Sequence, residues 1–119
     1  MKKFILMVTG AFMMGLSFNT IALTAGFGGA TVKSIVIDSG GFGGCMIHVD
    51  KVLASKGLNC PYNWVSFSCF GNFNSKDLAY RKLDQAQMAM ALNKTVYIVV
   101  DDTKKHNGYC FVKRIDINK

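Results

Sequence analysis

Several short stretches of the chain alternate between apolar and polar residues, which is the period of a half-buried β-strand. CMIHVDKV (45–52) and WVSFSCF (64–70) each place cysteine and branched or aromatic residues on one side and mostly polar residues on the other. Three more segments are rich in β-branched residues and short enough to be strands: TVKSIVI (31–37), TVYIVVD (95–101) and YCFVKRIDI (109–117). The pattern therefore predicts five strands.

One longer segment has the spacing of a helix. No Gly or Pro interrupts the run from Ser75 to Leu92, and Ser75 is a favourable N-cap residue. Asn93 can end the helix in a left-handed conformation. Apolar residues recur every three or four positions, which predicts a buried stripe of Ala79, Leu83, Ala86 and Met90.

Glycine-rich and polar segments separate these elements. GFGGA (26–30) is predicted to be flexible backbone at a frayed N-terminus, and GGFGG (40–44) a connection between strands. The other connections are SKGLNCPYN (55–63), a loop, and TKKHNG (103–108), a turn with an Asn-Gly pair. The resulting order predicts an α+β, mostly β fold: a five-stranded OB-like barrel with one helix between strands three and four. Other α+β arrangements share this order.

The first residues have the layout of a secretory signal peptide. Two lysines precede an apolar run from Phe4 to about Phe18, and small and polar residues follow it. This run is interrupted by glycine and falls short of the roughly 20 apolar residues that span a bilayer. We expect cleavage near Ala22 or Ala25, a periplasmic or secreted product, and no membrane span once the signal is removed.

Without a signal peptide of residues 1–25, the chain makes one domain over residues 26–119. Lys2 and Lys3 leave with the signal, so the net charge falls from +7 to +5. A basic exported domain suggests an anionic partner such as an acidic glycan or envelope lipid, although a charge of this size also fits simple solubility. An exported protein meets glycans more often than nucleic acid, so no nucleic-acid partner is expected.

Four cysteines in a small exported chain predict two disulfides. A hairpin centred on Gly57 places Cys45 opposite Cys69, within the distance that a disulfide requires. In an OB barrel the third and fifth strands run parallel, which brings Cys60 near Cys110. Zinc sites use ligands two to four residues apart, and no two cysteines here are that close. No metal or cofactor is therefore expected.

A search for catalytic residues finds one arrangement worth weighing. His48 and Asp50 share a strand face with Ser66 and Ser68 in the predicted hairpin, which raises the hypothesis of a hydrolase triad. Neither serine lies in a nucleophile elbow, so we expect this face to be a solvated strand surface instead. His106 is expected to be an exposed histidine at a turn. The sequence predicts no enzymatic activity.

Aromatic and basic residues are the candidates for binding. OB folds hold sugars and single strands through stacking aromatic side chains beside basic neighbours. Tyr62 and Trp64 lie at the entry to the third strand, and Lys104 and Lys105 precede the last strand. The alternative is that the aromatic residues simply pack the barrel.

The strings CMIHV, VSFSC and LDQAQMAMALNKTVYIVV (83–100) resemble the B subunits of the subtilase-cytotoxin and typhoid-toxin group. These are exported OB folds that form pentamers and bind sialylated glycans. The resemblance covers roughly residues 31–117 and lacks the family's C-terminal segment with its extra disulfide. It implies a sugar site with a serine early in strand one, for which Thr31 or Ser34 could stand, and a tyrosine late in the helix, where this chain has Met88 and Met90.

The resemblance implies a non-enzymatic domain that recognises a glycan or another ligand of the cell surface or envelope. Because the family assembles into pentamers, a homo-oligomer is one expected assembly. The alternative function is a stand-alone periplasmic protein of the same scaffold that binds or modulates another protein.

Overall fold

The computed structural model describes residues 23–118, so residues 1–22 of the predicted signal peptide lie outside it. The described chain has one α-helix, α1 (Lys76–Ala91), and no helix in it is long and apolar enough to cross a membrane. Its six strands are β1 (Thr24–Ala30), β2 (Val32–Ile37), β3 (Cys45–Val49), β4 (Trp64–Ser66), β5 (Val96–His106) and β6 (Tyr109–Ile117).

The strands form one sheet with the order β1-β5-β6-β4-β3-β2. Neighbouring strands are antiparallel except β4 and β6, which run parallel, as predicted for the third and fifth strands. The mostly β, α+β class is confirmed, with the helix after β4 as predicted. The five-stranded closed barrel is wrong: there are six strands among the described residues, and the sheet is open because its edge strands β1 and β2 do not pair.

The extra strand comes from the glycine-rich segment predicted to be frayed. Residues 24–30 pair with β5, and Phe27 is buried opposite Ile98. Glycine suits this strand, because a Cβ atom on Gly26 would lie 2.0 Å from the hydroxyl of Tyr97. Thr24 and Ala25, counted with the signal peptide by the sequence, are therefore part of the sheet.

A single residue separates the two edge strands. Thr31 lies between β1 and β2, and its backbone N–H donates to Oδ1 of Asp50 at 2.8 Å. After it, β2 pairs with β3 while β1 pairs with β5. The N-terminal part of the chain therefore lines both edges of the sheet.

The β3–β4 hairpin has a different register from the predicted one. Ile47 pairs with Val65, whereas the sequence placed it opposite Phe67. A shift of two residues keeps every side chain on its predicted face. The strand β4 is also short: it ends at Ser66, and Ser68 has a left-handed φ of 58° that turns the chain.

Both predicted disulfides are present, and they use all four cysteines. Cys69, after the turn at Ser68, lies 5.6 Å from Cys45 between Cα atoms. Cys60 and Cys110 are 5.9 Å apart and tie the loop before β4 to the start of β6.

The helix begins and ends as predicted. The Ser75 hydroxyl accepts the N–H of Leu78 at 3.2 Å, and Asn93 has a left-handed φ of 51°. The buried stripe differs in one residue, because Met90 is 46% exposed and Ala89 is buried in its place. The packed face is rotated toward the side of the helix that carries Ala89 and Lys82.

Lys82 is a buried lysine without a carboxylate partner, only 6% exposed. Its ammonium donates to Oδ1 of Asn74 at 2.8 Å and to the carbonyl of Val112 at 2.9 Å, and lies 4.7 Å from the ring centre of Phe111. Burial, with a smaller contribution from Lys104, lowers the pKa of Lys82 to about 8 from its ordinary value of 10.5.

This lowered pKa predicts a gain of stability in alkali. Between about pH 8 and 10.5 the unfolded chain keeps the Lys82 proton and the folded chain releases it, so stability rises with pH. We expect the free energy of unfolding of wild type to rise, relative to that of Lys82→Met, by up to about 1.4 kcal/mol per pH unit in this window. Urea unfolding at pH 7.5 and 9.5 measures it, with Lys76→Met, an exposed lysine of the same helix, as control. The prediction would be contradicted if the free energy of unfolding of wild type rose with pH no more relative to Lys82→Met than relative to Lys76→Met.

Candidate ligand-binding surface

A row of side chains crosses the outer face of three neighbouring strands. Ser34 on β2 pairs with His48 on β3, and His48 pairs with Trp64 on β4. Directly paired residues point to the same face of a sheet, so the three side chains form one row. The imidazole of His48 stacks on the indole of Trp64, with ring centres 4.9 Å apart and an interplanar angle of 27°.

The parallel pairing of β4 and β6 extends this row. Val65 pairs with Cys110, and both side chains are buried in the core. Because side chains alternate along a strand, the residues just before them, Trp64 and Tyr109, point to the outer face. An aromatic residue at each of these positions therefore continues the row onto β6.

Tyr109 is the centre of a second group of rings. Its ring centre lies 5.3 Å from that of Tyr62 and 5.6 Å from that of Phe42. Tyr62 is 55% exposed, while Phe42, Trp64 and Tyr109 are half-buried. We call the surface formed by Phe42, His48, Tyr62, Trp64 and Tyr109 the aromatic band.

Two loops hold Phe42 and Tyr109 together. Phe42 begins a 3-10 turn (Phe42–Gly44) between β2 and β3, and its backbone N–H donates to Oδ1 of Asn107 at 2.9 Å. Asn107 and Gly108 form the β5–β6 turn, with φ values of 53° and 84° as a tight hairpin turn requires. The predicted Asn-Gly turn thus positions one end of the band.

The two candidate lysines lie on β5 beside the band. The Lys105 ammonium donates to the carbonyl of Asn59 at 2.5 Å, and Lys105 pairs with Cys110. The Lys104 ammonium lies 5.9 Å from the ring centre of Phe111. Lys105 therefore points to the same face as the buried Cys110 and away from Tyr109, whereas Lys104 reaches Phe111 on β6.

Two other candidates take no part in the band. Thr31 lies between the edge strands, where its backbone is held by Asp50. Met88 is 49% exposed on α1, on the side opposite the residues that pack against the sheet. Of the sugar-site residues that the family resemblance implies, only Ser34 belongs to the row.

Ser66 and Ser68 were predicted to be solvated, yet both are fully buried. The 3-10 turn covers Ser66, whose hydroxyl donates to the carbonyl of Phe42 at 2.7 Å. The hydroxyl of Ser68 accepts the N–H of Phe73 at 3.1 Å and lies 2.9 Å from Nε2 of His106. These bonds hold Ser68 in its left-handed conformation.

His106 was predicted to be exposed, yet it is half-buried, and its ring centre lies 4.5 Å from that of Phe73. Burial lowers the pKa of His106. A neutral imidazole can accept a hydrogen bond from the Ser68 hydroxyl at Nε2. The pairing of a turn histidine with a serine 38 positions away depends on the loop fold, so no sequence pattern signals it.

The residues of the hypothetical triad do not assemble. The carboxylate of Asp50 accepts the N–H of Thr31 at the sheet edge, and this bond lowers the pKa of Asp50. His48 stacks on Trp64, and Ser66 is bonded to Phe42 beneath the turn. Within residues 23–118 no three histidine, cysteine or acidic side chains are grouped so that they could hold a metal ion.

Comparison of the chain with protein-family models, with curated proteins and with solved structures gives no match.

Proposed function

We propose that this chain is an exported, non-enzymatic domain of the toxin B-subunit type that binds a glycan through the aromatic band. The observation that carries the proposal is two groups of rings on neighbouring strands, His48 with Trp64 and Tyr109 with Tyr62 and Phe42, among which Tyr62 is the most exposed. Aromatic rings with one face open to water bind the apolar C–H face of a sugar ring.

Polar groups border the rings where a glycan needs hydrogen-bond partners. The Ser34 hydroxyl and the His48 imidazole lie in the same row as Trp64. This combination of a few polar groups around an apolar surface is typical of ligand sites.

The position of the band in the sheet also supports the proposal. OB folds bind oligosaccharides and oligonucleotides on the face of their second and third strands and on the loops after the first and fourth. Here β3 and β4 carry His48 and Trp64, the β2–β3 connection carries Phe42, and the β5–β6 turn precedes Tyr109. The sheet itself is open and has six strands, with β4 and β6 parallel and the other neighbouring strands antiparallel.

Two disulfides in a chain of 119 residues support the export part of the proposal. Disulfides form and persist in oxidising compartments such as the periplasm and the extracellular space. A small domain in those compartments has little apolar core and benefits from covalent links.

A glycan array with the oxidised protein tests the proposal, together with a matched pair of tyrosine variants. Tyr62→Ala removes the most exposed ring of the band, and Tyr80→Ala removes a tyrosine of α1 that is 50% exposed. We expect Tyr62→Ala to weaken binding of the array's glycan ligand about tenfold, the loss of roughly 1.4 kcal/mol of stacking. Tyr80→Ala should bind as wild type.

Two results would contradict the proposal. Absence of binding to every glycan on the array would exclude glycans as the ligand class and favour a protein partner instead. Equal weakening by Tyr62→Ala and Tyr80→Ala would show that binding does not depend on the band.

A further inference from the structure

The first described residue is held by a carboxylate of the sheet. The backbone nitrogen of Leu23 lies 3.3 Å from Oδ1 of Asp102, and the Leu23 carbonyl accepts the N–H of Asp102 at 3.1 Å. The second oxygen of the same carboxylate accepts the N–H of Asn59 at 3.0 Å. Asp102 therefore fixes the start of β1 and the loop that carries Cys60.

From these contacts we infer that signal peptidase cleaves the bond between Ala22 and Leu23, and that the new α-ammonium of Leu23 pairs with Asp102. The inference rests on the export part of the proposed function and is independent of the ligand. Hydrolysis adds water across the bond, so Ala22 leaves with a carboxylate and Leu23 gains a positively charged amino group. This charge appears 3.3 Å from an acceptor that is already in place.

Cleavage after Ala25, the other candidate position, would remove part of the sheet. Thr24 pairs with Asp101 and Ala25 pairs with Val100, and Ala25 also packs against the core. A chain that began at Gly26 would lose both pairs and both contacts of Leu23 with Asp102. Cleavage after Ala22 leaves β1 (Thr24–Ala30) whole.

The residues before each bond favour the same position. Signal peptidase requires small residues at the first and third positions before the cleaved bond. Thr20 and Ala22 occupy these positions for cleavage after Ala22, whereas Leu23 and Ala25 occupy them for cleavage after Ala25. Leucine is large, so the second arrangement fits the requirement less well.

Expression of the full 119-residue chain in a bacterial host, followed by intact mass and N-terminal sequencing of the exported fraction, tests the inference. We expect a chain that begins at Leu23 and lacks four hydrogens for its two disulfides. A chain lighter by Leu23, Thr24 and Ala25 would overturn the inference and leave export intact. A chain that still begins at Met1 would overturn both, while glycan binding by the band would remain a separate question.

The rate at which an aminopeptidase removes Leu23 tests the pairing of its amino group with Asp102. Asp102→Asn keeps the shape of the side chain but removes its charge and one of its two acceptor oxygens. We expect Leu23 to be trimmed about threefold faster in this variant, since an exposed charge pair is lost and the terminus opens more often. Asp84→Asn, at an exposed position on α1, should be trimmed as wild type. Equal rates in all three proteins would overturn the pairing.

Discussion

Replacement of Cys60 and Cys110 together by alanine should lower the free energy of unfolding by about 4 kcal/mol. The disulfide joins residues 50 positions apart, so the oxidised unfolded chain contains a large closed loop with reduced conformational entropy. The bridge also fixes the loop before β4 against β6, which is where Tyr62 and Tyr109 meet.

The other disulfide provides a matched comparison. Cys45 and Cys69 are 24 positions apart, so their joint replacement by alanine should cost about 3.5 kcal/mol in the same chain-entropy model. Urea unfolding of the two double variants and of oxidised wild type measures both losses. A larger loss for the Cys45 and Cys69 pair, or no loss for either pair, would contradict the prediction.

Gly43→Ala should destabilise the protein by about 3 kcal/mol and weaken ligand binding at the same time. Gly43 has a φ of 70°, and a Cβ atom there would lie 2.5 Å from Cδ2 of His106 and 2.7 Å from Oγ of Ser66. The left-handed conformation costs an alanine about 1 kcal/mol, and displacement of the crowded side chains adds about 2 kcal/mol. Phe42, the preceding residue, should move with the turn and leave the band.

The variant Gly29→Ala separates the cost of the left-handed conformation from the cost of crowding. Gly29 has a similar φ of 62°, but a Cβ atom there would meet nothing within 4 Å. We expect a loss of about 1 kcal/mol and unchanged ligand binding. Thermal and urea unfolding measure the stability of both variants, and equal losses would show that crowding at Gly43 is unimportant.

The sequence predicted those parts of the fold that depend on local chemistry. The helix follows from an uninterrupted run behind a Ser75 cap, and the tight β5–β6 turn follows from Asn107 and Gly108. The disulfides followed from the parallel arrangement of two strands and from a hairpin, even though the hairpin register differs by two residues. That error was harmless because a shift of two preserves the faces of a strand.

The parts that the sequence missed depend on contacts between distant segments. The segment GFGGA forms a strand because Tyr97 packs closely on Gly26, and nothing within the segment signals this partner. Ser66 is buried because a turn from another part of the chain covers it and accepts its hydrogen bond, and Ser68 is bonded to Phe73 and His106. A polar residue in an alternating strand is normally exposed, so pattern alone assigns both serines to solvent.

The sequence identified some residues of the aromatic band and not others. Tyr62 and Trp64 stood out because they are aromatic residues at a strand entry, and both belong to the band. His48 was missed as a binding residue, since its place in the band depends on the strand register. Thr31 and Met88 were suggested only by the family resemblance, and the structure leaves them outside the band.

The fluorescence of Trp64 reports whether a glycan stacks on the aromatic band. Trp64 is the only tryptophan in the chain, so its emission reports on the band without labelling. We expect a saturable change in emission as the glycan found on the array is added, with the same midpoint as a calorimetric titration and a midpoint about tenfold higher in Tyr62→Ala. Calorimetric binding that leaves the emission of Trp64 unchanged would place the ligand elsewhere and rule out stacking on the band.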